Sequence, residues 1–220
     1  MVLTGLVNDA GPRLELAAYA LNRPIRTQDA VITTAAHQLA RKLKKPSSNP
    51  ARERRLSDDE LLALIEASSH TKNPHIVPIV LFALETGMRR GEILGLEWQN
   101  INFTKRIAFL PLTKNGTSRE VPLSSKAATI LEEQRINKYH VPFPITDNAL
   151  RLAWDKLKKR AAISDLKFHD LRHEAISRFF EAGLSLVEVA TISGHKDPKM
   201  LFRYTHLKAE EIAAKLQRLG

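Results

Sequence analysis

Apolar residues recur along most of this chain at intervals of three and four, the spacing that gathers them on one face of a helix. Leu61, Leu62, Leu64 and Ile65 give such a face directly after Ser57-Asp58-Asp59-Glu60. That tetrad is a capping box, in which the serine hydroxyl and the glutamate carboxylate each satisfy an orphan backbone donor. Further helices are predicted over about 74–85, 91–97, 125–138, 147–161 and 169–182, the last with Gly183 just past its end. A second capping box, Ser185-Leu186-Val187-Glu188, opens a helix that stops at Ser193-Gly194, and short helices over 198–204 and 208–219 finish the chain. The rhythm changes only at Arg106-Ile107-Ala108-Phe109-Leu110 and Arg119-Glu120-Val121-Pro122-Leu123, two strand candidates flanking Thr113-Lys114-Asn115-Gly116-Thr117-Ser118. Asn-Gly supplies the positive φ angles of a tight hairpin, and Pro122 assigns the second strand to a sheet edge. The expected fold class is mainly α with one small antiparallel β-sheet or hairpin (α+β).

The first 56 residues read differently. Helices are expected over 13–21, ended by Asn22-Arg23-Pro24, and over 27–45, followed by a linker with Pro46, Pro50, Arg52, Arg54 and Arg55. Two such helices bury little core by themselves. The expected organisation is therefore a partial helical segment with a basic linker at 1–56 and a main domain at 57–220.

Composition narrows the class. With 220 residues and 43% apolar, the chain is not disordered as a whole. No apolar run approaches the roughly 18 residues of a membrane-spanning helix, and Met1 to Pro12 lacks the pattern of a secretory signal. A cytoplasmic, nucleoid-associated location is expected, with no membrane partner. The chain has no cysteine, which removes disulfides, zinc fingers and thiol catalysis together. Its net charge of +10 favours a polyanionic partner, chiefly nucleic acid. Through Leu56 there are ten basic and four acidic residues, so the first quarter holds most of the excess.

Four places carry candidate chemistry. Thr86-Gly87-Met88-Arg89-Arg90-Gly91-Glu92 sits at a junction between helices and leaves an arginine near a helix start, where free amides favour an anion. His169-Asp170-Leu171-Arg172-His173 opens a helix, and His169 and Arg172 share its first-turn face, an arrangement that suits a phosphate. A metal fits less well there, because Arg172 would repel the ion and His169 and His173 lack a third ligand. Ser193-Gly194-His195 ends a helix nine residues before Tyr204, and Lys114 lies in the hairpin turn.

Taken in order, Thr-Gly-x-Arg-x-x-Glu, a hairpin lysine, His-x-x-Arg-His, Gly-His and a tyrosine nine residues later resemble the tyrosine recombinase (phage integrase) family. The resemblance runs from about Arg52 to the C-terminus and implies the catalytic domain of that family. It implies a site-specific DNA recombinase or integrase that cleaves and rejoins strands through a 3′-phosphotyrosine on Tyr204. Arg89 and Arg172 would hold the non-bridging oxygens. His169 and His195 would donate hydrogen bonds or move the tyrosine proton, and Lys114 would protonate the leaving 5′-oxygen. Glu92 would orient an arginine or His169, and His173 would serve in packing and hydrogen bonding. The resemblance implies no metal, because guanidinium groups supply the charge, and no nucleotide cofactor, because the phosphotyrosine keeps the bond energy. It implies double-stranded DNA as partner and a homotetramer on paired sites. Segment 1–56 is expected to be a remnant of the family's core-binding domain. The alternatives are a DNA-binding regulator of the same fold that does not recombine, and a type IB topoisomerase-like enzyme.

Overall fold

Ser57 begins the main body as its capping box requires: the Ser57 hydroxyl accepts from the Glu60 N–H at 3.2 Å, and the Ser57 N–H donates to the Glu60 carboxylate at 3.1 Å. The computed structural model describes residues 52, 54–111, 118–205, 213, 216 and 217. The helices expected at 13–21 and 27–45, the linker at 46–50 and the turn with Lys114 lie outside the described residues, as does most of the 208–219 helix.

The first helix among the described residues, α1 (Asp58–Ser68), buries only Leu64. Leu62 is 64% exposed, so the apolar face is narrower than the sequence suggested; at 100° per residue Leu62 points away from the side Leu61 and Leu64 share. The next helix, α2 (Ile76–Thr86), is apolar on every side, with Ile76, Ile79, Val80, Phe82 and Ala83 buried. A helix of that kind must lie inside the molecule. Pro78 falls in its first turn, where no intrahelical N–H partner is lost. It ends at Gly87 with φ +59, a left-handed cap that glycine adopts without strain, and α3 (Arg90–Leu94) begins three residues later.

The sheet has three strands, one more than the sequence pattern showed. β1 (Ile101–Asn102), β2 (Ile107–Leu110) and β3 (Arg119–Pro122) run antiparallel in the order β1-β2-β3. Two residues are too few to display alternation, so β1 left no trace in the pattern. Pro122 lies on an outer strand, as its missing N–H demands. Ala108 pairs with Val121 and both are buried, whereas Phe109 and Glu120 pair on the exposed face.

Helices α4 (Ser125–Ile136) and α5 (Asp147–Arg160) start at Ser124 and Thr146, whose hydroxyls accept from the third residue on. α5 buries Leu150, Trp154 and Leu157, one residue per turn. α6 (Asp170–Glu181) stops before Gly183, at φ +90, and α7 (Leu186–Ser193) carries the Ser185–Glu188 capping box and stops at Gly194, at φ +70. α2 packs against α4 and α6, and α7 against β3 and α6. The helix expected over 198–204 is instead two 3₁₀ turns, Pro198–Met200 and Phe202–Tyr204, closed by bonds from Leu201 N to Pro198 O (2.8 Å) and Tyr204 N to Leu201 O (2.9 Å). Fully buried Leu201 sits between them.

Two apolar clusters result among the described residues. The larger surrounds α2 and takes in Leu171 of α6; the smaller holds Ile176, Val189, Leu201 and the ring of Tyr204. The first turns of α6 bridge the two. Residues 54–56, directly before α1, are bound to the same body. Leu56 is buried in the larger core, and Arg55 bonds Glu174 at 2.9 Å and Glu181 at 2.5 Å. Buried Glu174 also accepts from Arg178 at 2.7 Å, so its charge is paired twice.

Candidate active site

Seven of the eight residues singled out from the sequence meet around the start of α6; the eighth, Lys114, lies outside the described residues. The meeting point is fixed by Arg172. Its side chain is buried, and it donates to the carbonyl of Gly87 at 2.5 Å and to that of Ser193 at 2.7 Å. One guanidinium thus ties together the C-terminal ends of α2 and α7, each of which needs partners for its last carbonyls. Burial draws the Arg172 pKa down to about 10, and the charge of nearby Arg89 acts in the same direction. It remains a cation at neutral pH.

Arg89 is the N-cap residue of α3, and Glu92 stands three residues on. The Glu92 carboxylate accepts from the Arg89 N–H at 2.8 Å and from Arg89 Nη1 at 2.9 Å. Its other partner was not foreseen. Arg119, the first residue of β3, donates to both carboxylate oxygens, at 2.7 and 2.8 Å. Burial by itself would raise the Glu92 pKa, but the Arg119 pair and the Arg89 backbone bond hold it at about 2. The sequence did contain a signal for Arg119: two residues from Val121, it falls on the inward face of a strand, where an arginine demands a buried partner.

Three imidazoles line the same place. His169 stands at the N-cap of α6 and meets His173 edge-to-face, with ring centroids 4.8 Å apart. Burial lowers the His169 pKa, and Arg172 lowers it further. His195 Nδ1 lies 2.7 Å from Ser193 Oγ, and that hydroxyl donates its single proton to the Val189 carbonyl at 2.6 Å. Ser193 Oγ can therefore only accept from His195, which places the proton of the neutral imidazole on Nδ1 and leaves Nε2 bare. Burial and then the charges of Arg172 and Arg89 bring the His195 pKa to about 4.

His173, expected to serve in packing and hydrogen bonding, lies against Tyr204. Its Nδ1 hydrogen-bonds the Tyr204 hydroxyl, and the two rings stack with centroids 5.8 Å apart. Burial and the neighbouring His169 bring the His173 pKa to about 4, so it is neutral at pH 7. Tyr204 is 9% exposed; burial raises its pKa against the opposing charges of Arg203 and Arg172. The Arg203 guanidinium stands 5.0 Å from its ring centroid, a cation–π contact.

The arrangement thus offers a protonated phenol on a neutral imidazole, beside permanent cations. An oxyanion would find charge and N–H donors there, and a phenol would find a base. No group of three or more His, Asp or Glu among the described residues is placed to hold a metal ion.

The chain has relatives among known proteins. The chain is 43% identical over 208 residues to a shufflon-specific DNA recombinase of Escherichia coli, covering 93% of this chain and 53% of that protein. A putative integrase/recombinase of Haemophilus influenzae is 40% identical over 163 residues, covering 71% and 53%. The chain therefore spans about half the length of these relatives. Among solved structures, the catalytic domain of bacteriophage HP1 integrase matches with a TM-score of 0.62, covering 76% of this chain and 95% of that one; at 23% identity the likeness is one of fold. The family described as phage integrase matches residues 54–211, which include Tyr204 and the residues gathered around it, and the chain belongs to that family.

Proposed function

We propose that residues 57–220 form the catalytic domain of a site-specific DNA recombinase that cuts and rejoins strands of duplex DNA through a phosphotyrosine at Tyr204. The observation that carries this reading is the Tyr204 hydroxyl bonded to neutral His173 beside the buried guanidinium of Arg172. The names of the E. coli and H. influenzae relatives favour the same class.

In the reaction, the Tyr204 oxygen attacks the scissile phosphorus and the bond to the 5′-oxygen breaks. The phenol proton passes to an imidazole, and His173 is the one in contact with it. Lys114 supplies a proton to the departing 5′-oxygen. The phosphoryl group, now esterified to Tyr204, has lost no bond energy to water, so attack by a 5′-hydroxyl of another strand reverses the step. Arg172 and Arg89 face the negative charge that builds on the non-bridging oxygens. His169 and His195 donate to those oxygens or relay the proton. Bare Nε2 makes neutral His195 an acceptor; it becomes a donor there once phosphate charge has protonated it. Pairing two sites requires more than one copy, and a tetramer on paired DNA sites is the assembly we propose.

The deciding experiment uses a nicked suicide duplex, from which the cut strand fragment diffuses away and religation cannot follow. The wild-type chain should become covalently attached to DNA, and Tyr204→Phe should not, while DNA affinity stays within about threefold, because one hydroxyl carries little of a phosphate-dominated affinity. Adduct in Tyr204→Phe moves the nucleophile elsewhere. No adduct in either leaves a DNA-binding protein of this fold.

A further inference from the structure

Three guanidinium groups stand around the Glu92 carboxylate. Arg89, Arg119 and Arg172 all lie close enough for their charges to act on Arg172 or His195, and Glu92 is the carboxylate among them. A carboxylate has two oxygens and prefers to grip a guanidinium with both. If Glu92 gripped Arg89 in that way, it would neutralise the group that has to meet phosphate. It does not, because Arg119 already occupies both oxygens, at 2.7 and 2.8 Å, and Arg89 reaches only one of them through Nη1.

Arg119 is held firmly where it does this. Its Nε donates to the Ile192 carbonyl at 3.3 Å, its side chain is 11% exposed, and it belongs to a paired strand. The backbone of Gly194 lies directly over it: a Cβ at that position would come within 2.9 Å of Arg119 Nη1. The guanidinium is thus clamped between Glu92 and the turn that leads to His195.

We propose that Arg119 is a positioning residue for strand cleavage: it saturates Glu92 so that the carboxylate orients the Arg89 side chain through one guanidinium nitrogen without capturing it. This inference rests on the recombinase reading above, since it concerns an arginine that serves there by meeting the scissile phosphate. Removing Arg119 leaves Glu92 ionised with Arg89 as its remaining partner, and the ion pair then competes with DNA for Arg89.

The consequence is a suppression that loss of packing does not give. On the nicked suicide duplex, Arg119→Met should slow covalent attachment by about 10- to 100-fold, the usual effect of a misplaced catalytic group. Adding Glu92→Gln to Arg119→Met should restore the rate by at least about fivefold, because the amide carries no charge with which to capture Arg89. In the single variant the rate should also rise on acidification, as Glu92, freed from Arg119, becomes protonated at a higher pH than in the wild type. If Arg119→Met does not fold, as its melting curve will show, Arg119→Lys takes its place. One ammonium cannot cover both oxygens, so a loss of about three- to tenfold, relieved by Glu92→Gln, is expected. A double variant no faster than the single one, or an Arg119 variant as fast as wild type, overturns the proposal. A wild-type chain that forms no adduct, or a Tyr204→Phe chain that does, instead overturns the recombinase reading beneath it.

Discussion

An uncharged imidazole can take a proton but contributes no field, and this decides what His173 does for Tyr204. With its pKa at about 4, His173 holds the hydroxyl without stabilising a phenolate in advance. On the proposed mechanism, ionisation of Tyr204 must therefore wait for the attack itself. His173→Gln, which keeps a hydrogen-bonding group but accepts no proton, should slow covalent attachment about 10- to 100-fold at pH 7 with DNA affinity little changed. Single-turnover quenching on the suicide duplex measures this, and an unchanged rate would remove His173 from the proton path. At this scale the sequence revealed the residues whose order forms a motif, among them Arg89, His169, Arg172, His195 and Tyr204. It did not reveal Arg119 or Ser193. An ion pair across 27 positions to Glu92 and a hydroxyl whose proton is already committed do not show in a sequence, where Arg119 left only its inward place on a strand and Ser193 left nothing.

Several elements that bring these residues together end on glycines, and one of these, Gly194, differs from Gly91 inside α3 in a way that can be measured. Gly194 has φ +70 and stands over Arg119, with less than 3 Å for a Cβ. Gly91 lies inside α3 with nothing within 4 Å of its Cβ position. Gly194→Ala should cost about 1–3 kcal/mol of stability, from the left-handed backbone and the displaced arginine together. Gly91→Ala should be neutral or stabilising by up to about 1 kcal/mol. Urea unfolding of the two variants tests the contrast, and equal midpoints would mean that the Gly194 turn yields without strain. Element ends were the most legible part of the sequence: both capping boxes and the stops at Gly183 and Gly194 stand where serine, glutamate and glycine placed them. The interval 198–204 was less so, because a buried Leu201 and a leading proline favour tight 3₁₀ turns over a continuous helix. Strand β1 is held by two pairs with β2 rather than by any pattern of its own.

For the molecule as a whole, the same depressed histidines set how stability responds to acid. In the unfolded chain an imidazole titrates near its ordinary value, about 6.5, whereas His173 and His195 titrate at about 4 when folded. Between those values the unfolded state binds more protons, so stability rises with pH across the window and falls as the solution is acidified through it. Glu92 acts in a different range. Its folded pKa of about 2 lies below the ordinary carboxylate value, so its contribution is complete above about pH 4.5 and fades only below that. The melting temperature should therefore hold near pH 7–8, decline between about 6.5 and 4 through the histidines, and decline again at lower pH as Glu92 is lost. His195→Gln should flatten part of the first decline and leave the second. Bound DNA should reverse the first decline as well, because phosphate charge beside His173 and His195 raises their pKa, and binding then takes up protons. Affinity for duplex DNA should accordingly strengthen as pH falls from 7 to 5.5, in addition to its steep weakening with salt. Calorimetric titration in two buffers of different ionisation enthalpy reads that proton uptake directly. Zero uptake at pH 6 would mean that the bound phosphate does not reach these imidazoles.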